Sequence, residues 1–210
     1  MANELTEDPV TAHAPRWREV TLAEAEKLSK VKSRTLQFWT MNNVIECTPD
    51  TRHGGTGVKR LYDIREIAIA SIIGKVASLS ISIGELSDIA SCLRRIYKAK
   101  SLNTYSACLR LFNKMDNDPD KLKRLRDQND GFLAEYSEVM EAKSFYAALE
   151  GREKMYFAIS KVSGGNYEVE IDGEENLASV RFMPNGVEFS VMFLINPDLV
   201  FRDIRRAITS

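Results

Sequence analysis

The sequence is poor in several residue types that whole protein classes depend on. Its 210 residues contain three cysteines and two histidines. Cys47, Cys92 and Cys108 form no Cys-x-x-Cys pair, and so odd and sparse a set argues against a disulfide framework and fits a reducing compartment. Cys47 and His53 offer two metal ligands, short of a site, and Cys92 and Cys108 stand sixteen residues apart on predicted helices; no metal and no cofactor is expected. No unbroken apolar run exceeds five residues (Val191–Ile195 is one), against the roughly 20 that span a bilayer. Residues 1–15 hold Glu4, Glu7 and Asp8 without Lys or Arg, so the basic start of a signal peptide is missing and a cytoplasmic protein is expected. No Ser-His-Asp, Cys-His or nucleotide-binding pattern is present. The Gly54–Lys59 tract lacks the Gly-Lys-Ser/Thr ending of a phosphate loop, and an enzyme is not expected.

What is present is a soluble, globular profile: 44% hydrophobic and 28% charged residues, with 29 Lys and Arg against 30 Asp and Glu. The net charge of −1 excludes a uniformly basic nucleic-acid binder but not a local basic patch. The charge is in fact uneven. Between Lys27 and Arg65 lie eight basic residues and three acids, a local excess of +5, whereas residues 101–210 sum to −4.

Periodicity predicts mainly α structure with an α+β C-terminal part. Residues 1–16 are read as a flexible arm. Thr21-Leu22-Ala23-Glu24 has capping-box spacing and opens a short helix; Lys30-Val31-Lys32 makes a turn, and Ser33 caps a second helix to about Asn42. Val44–Cys47 and the run ending at Tyr62 flank a glycine-rich tip, which predicts a β-hairpin. Asp63–Glu66 and Ser82–Glu85 head two further helices. Residues 101–150 continue as a helical connector or dimerisation segment, with Leu102, Tyr105, Leu109 and Phe112 as its seam and breaks at Asp116–Pro119 and Asn129–Gly131. From Gly151 the period becomes two. The segments 153–162, 166–171, 177–183 and 187–195 predict a four-stranded antiparallel meander, followed by a terminal helix that starts at Asn196-Pro197 and covers one side of the sheet. Tyr156, Phe157, Tyr167, Phe182, Phe189 and Phe193 are read as sheet core before ligand box, and Glu168, Glu170 and Asp172 as a solvated face.

The first half resembles the MerR family of bacterial winged helix-turn-helix regulators. The likeness rests on Val20–Ala25, on Ser33-Arg34-Thr35-Leu36-Gln37-Phe38-Trp39, on Arg60-Leu61-Tyr62 and on Ser82-Ile83-Gly84-Glu85-Leu86, in family order over roughly residues 17–98. It implies a DNA-binding domain over 17–100, with a recognition helix in the major groove and a wing on the phosphate backbone. Arg34 and Gln37 are the expected base readers, since Arg pairs with guanine and Gln with adenine. Lys32, Ser33, Arg52, Lys59, Arg60 and Tyr62 are expected on the backbone. Of the aromatic pair, the family places one on DNA: Phe38 is the candidate contact, while Trp39, in step with Leu36, reads better as core. The expected partners are double-stranded DNA and a second copy in a homodimer. A protein or small-molecule effector would be met by the 151–210 domain, and no membrane is involved. An architectural, excisionase-like DNA protein and an adaptor using the β unit are the alternative classes.

Overall fold

A computed structural model describes residues 17–52, 59–98, 105–127, 132–161, 167–173 and 191–209. The chain is mainly helical, with two small antiparallel sheets. The expected arm (1–16), wing tip (53–58) and third strand of the meander (177–183) lie outside the described residues.

Strand β1 (Glu19–Thr21) leads into helix α1 (Leu22–Ser29), where Thr21 accepts the Glu24 amide as an N-cap. Half of the expected capping box is replaced: the Glu24 carboxylate pairs with Arg18. Helix α1 ends at Lys30, whose φ of 63° turns the chain toward helix α2 (Ser33–Met41). Ser33 is not the cap of α2. Lys32 occupies that position without a side-chain bond, and the Ser33 hydroxyl donates to Glu26 on α1. Val31, in the turn, is pressed against helix α4 (Ile64–Ala77): a Cβ added at Gly74 would meet Val31 Cγ2 at 2.8 Å, so glycine permits this approach.

The hairpin expected around residues 44–62 is paired differently. A helical turn, α3 (Pro49–Arg52), follows the 44–47 segment, and strand β2 (Leu61–Asp63) takes β1 as its ladder partner, with Val20 opposite Tyr62. Segment 44–48 keeps one backbone bond to β2, from the Thr48 amide to the Leu61 carbonyl at 2.8 Å. Val20 and Tyr62 both point into the core, so burial selects this register.

Helix α4 is buried on nearly every side, as its sequence predicts, and packs on helix α5 (Ile83–Lys98). Asp63 caps α4 by accepting the Arg65 amide at 2.8 Å, but Glu66 does not complete a capping box. It is buried, and its two oxygens receive four donors: Arg94 Nε at 2.8 Å, Arg94 Nη2 at 3.0 Å, the Glu46 amide at 3.0 Å and the Tyr97 hydroxyl. Burial, then the nearby Glu66 carboxylate, raise the Tyr97 phenol above its ordinary range. Arg94 also donates to the Val44 carbonyl at 3.0 Å.

Helix α6 (Tyr105–Asp116) ends where the sequence places the first break, ahead of α7 (Lys121–Asp127); the second expected break, Asn129–Gly131, lies outside the described residues, and α8 covers Phe132–Glu150. The α6 seam is filled within the chain, since the Phe112 ring packs tilted against Tyr136 of α8 with centroids 5.5 Å apart and the two helices pack together; Leu102 lies outside the described residues. Strands β3 (Met155–Lys161), β4 (Tyr167–Gly173) and β5 (Val191–Ile195) follow. Their order is β4-β3-β5, so the last strand returns beside the first, where a simple meander would place it at the far edge. Phe157 and Tyr167 are buried as sheet core.

Asn196 caps α9 (Pro197–Val200) with Pro197 first in the helix; Phe201 separates it from α10 (Arg202–Thr209). The expected single terminal helix covering the sheet is thus divided. Helix α9 lies on β3, whereas α10 reaches α1 and α8, and Lys30 pairs with Asp203. One hydrophobic cluster runs from Val20 through Phe145 and Phe157 to Ile208, so the three sequence segments share a core.

The sheet is fastened to α5 by a polar clasp. Lys161 Nζ lies 2.6 Å and the Tyr167 hydroxyl 3.2 Å from Glu85 Oε1, and the Ser82–Glu85 capping box forms as expected. Lys161, then Ser82, hold the Glu85 carboxyl at about 2. Because the folded value is depressed, the clasp is complete above the ordinary carboxylate value of about 4.3 and is lost as pH falls through about 2. Carboxyl 13C titration of Glu85 is expected to show a midpoint near 2; an ordinary midpoint means the clasp does not form. In urea unfolding, Arg94→Ala is expected to cost about 3–5 kcal/mol, because it strands a buried carboxylate. Lys30→Met, at an exposed pair, should change stability by no more than about 1 kcal/mol.

Candidate nucleic-acid interface

Leu36, Trp39 and Thr40 face inward on α2 and are buried, which turns Arg34, Gln37, Phe38 and Met41 outward as one stripe. Their spacing of i, i+3, i+4 and i+7 is a single face of a 3.6-residue helix. Trp39 is core, as its step with Leu36 predicts. Arg34 and Gln37, the two expected base readers, are both exposed and lie one turn apart.

Beside this stripe runs a cleft of about 660 Å³, lined by Thr21, Leu22, Ala23, Gln37, Met41, Lys59 and Arg60. The structure therefore brings Gln37 of the helix and the cations Lys59 and Arg60 to one groove, although Lys59 is 22 positions beyond Gln37. Lys32 is exposed at the head of α2. Among the described residues, Lys32, Arg34, Lys59 and Arg60 form no ion pair, whereas most basic residues nearby are engaged. Uncompensated cations on one surface are what phosphate neutralisation requires.

Several expected contacts fall elsewhere. Tyr62 is fully buried and its hydroxyl lies 3.2 Å from Thr40 Oγ1, so it is removed from the backbone-contact set. That bond ties β2 to α2. Ser33 is half-exposed with its hydroxyl spent on Glu26. The Arg52 side chain lies outside the described residues. Of the eight cations counted between Lys27 and Arg65, Lys30 is bound to Asp203. Arg65 is bound to Asp63, with its guanidinium 5.2 Å from the Tyr97 ring. The Asp63 hydrogen bond holds Arg65 above the ordinary guanidinium range.

Met41 was not among the expected site residues. Exposed at 66%, it is recoverable from sequence only by extending the Arg34–Gln37–Phe38 stripe one more turn.

A second cleft, of about 380 Å³, is walled by Glu19, Glu46, Asp63 and Glu66 with Arg65 and Lys98. Its carboxylates are engaged: Glu19 accepts from Thr48 at 2.7 Å, Glu46 meets Lys98 at 2.7 Å, and Glu66 holds Arg94. It is a poor seat for a phosphate. Among the described residues no group of three or more His, Cys, Asp and Glu is arranged to hold a metal ion. Cys47 and Cys108 are buried, and burial pushes the Cys108 thiol up to about 12. No described helix is long and apolar enough to cross a membrane. In comparisons with known proteins, no family model and no curated sequence matches the chain.

The Tyr62–Thr40 bond gives a stability test: Tyr62→Phe is expected to cost about 1 kcal/mol, read by chemical unfolding, with the surface charge unaltered.

Proposed function

We propose that this protein is a sequence-specific DNA-binding transcriptional regulator with a MerR-like winged helix-turn-helix at residues 17–98. The observation that carries the reading is the outward α2 stripe of Arg34 and Gln37 beside a groove holding Lys59 and Arg60, cations left unpaired by the described residues. Helix α2 enters the major groove, where a guanidinium recognises guanine and a carboxamide adenine. Lys32, Lys59 and Arg60 lie on the flanking phosphates and fix the register. Two copies bound as a homodimer would read an inverted repeat. The 151–210 segment, clasped to α5 through Glu85, is the part that an effector or protein partner would meet.

Binding to duplexes recovered from a random pool tests the reading. Arg34→Ala is expected to weaken binding and relax base choice, by a discrimination of about 1–3 kcal/mol. Arg60→Ala should weaken all sequences alike and lower the salt slope by about one phosphate equivalent. Affinity and salt slope unchanged in the double variant would overturn the interface.

A further inference from the structure

The proposed reading leaves Met41, at the end of the α2 stripe, without a task; its neighbour Phe38 is the aromatic that the family likeness places on DNA. Phe38 and Met41 follow Arg34 and Gln37 on the same face and are 48% and 66% exposed. Large apolar side chains held outward carry a standing hydration cost, and Met41 carries it in the electropositive groove itself, which it lines with Lys59 and Arg60. At 1.5 Å per residue, Arg34 and Met41 are about 10 Å apart along the helix, close to three base-pair rises of about 3.4 Å. The stripe therefore changes along its length from hydrogen-bonding to apolar readers within one half-site.

A duplex major groove offers one apolar group, the C5-methyl of thymine. We infer that Met41, backed by Phe38, is a specificity-determining residue that packs on thymine methyls, so that the preferred half-site places thymine next to the bases read by Arg34 and Gln37. The inference rests on the DNA-binding reading. Charge decides the occupant: with Lys59 and Arg60 lining the same cleft as Met41, and Arg34 exposed on the same helix face, a second copy of this stripe is repelled and a polyanion is drawn in.

The experiment uses the full chain and the duplex recovered from the random pool, beside the same duplex with deoxyuridine for thymine, which removes only the methyls. Burying one methyl group corresponds to about a fourfold change in affinity. Wild type is expected to lose about that factor per contacted thymine. Met41→Ala, at an exposed position that the fold does not need, should start weaker and show no further loss on deoxyuridine DNA; Met41→Gln should behave in the same way. Equal methyl sensitivity in wild type and both variants overturns the inference while leaving duplex binding intact. Failure of wild type to retain any duplex overturns the parent reading, and this one with it. Self-association of wild type that Met41→Ala abolishes assigns the stripe to a second copy and also overturns the inference.

Discussion

A carboxylate taken out of water must find donors for both oxygens or destabilise the fold, and Glu66 is where this chain meets that requirement. Arg94 supplies two of its four donors, Tyr97 one and the Glu46 backbone the last. These groups come from α4, α5 and the segment leaving α2, so the three parts must arrive together for any of them to be satisfied. Arg94 then uses its remaining reach on the Val44 carbonyl. The exit of the outward-facing helix is thus set by a buried polar network, which has directional demands, as well as by apolar contact, which has few.

Helix α5 carries this constraint to the other half of the molecule. One side of it holds the segment after α2, through Ser87 on the Asn43 carbonyl and Arg94 on Val44. Another receives the sheet, through Glu85 to Lys161 and Tyr167 and through the Cys92 thiol to the Tyr167 carbonyl. The C-terminal part is consequently packed onto the same core as the α1–α2 region, and α10 adds a second attachment at α1. A chain whose residues 101–210 sum to −4 is built so that its acidic part has a fixed bearing relative to its basic part.

Most local chemistry was legible in the sequence and distant pairing was not; Ser33, expected to cap α2, instead gives its hydroxyl to Glu26 on α1. Thr21, Asp63 and Asn196 cap their helices because an N-cap is decided by residues two or three apart. Asp116–Pro119 ends α6 for a similarly local reason. The partner of β2 was missed because β1 spans three residues with a single inward side chain, too short for alternation to show. Glu66 fits a capping-box position, and only the fold brings it Arg94, 28 residues away. Tyr62 looked like a contact because it completes Arg-Leu-Tyr, yet strand alternation puts it opposite Val20 and inside. For the candidate site, the α2 stripe was readable from helical spacing, while its meeting with Lys59 and Arg60 depends on the β1–β2 ladder.

The same distinction governs how charge should be read. The excess of +5 between Lys27 and Arg65 counts residues, but a cation attracts phosphate only if the fold has not already neutralised it. Arg65 is consumed by Asp63 and Lys30 by an acid 173 positions later, so both leave the set on structural grounds. Lys32 and Arg34 at the head of α2, with Lys59 and Arg60 in the groove beside it, are left over by the described residues. The subtraction lowers the total yet strengthens the case, because what survives is concentrated around the outward face of a single helix. Position and lack of compensation, more than net charge, give the proposed interface its direction.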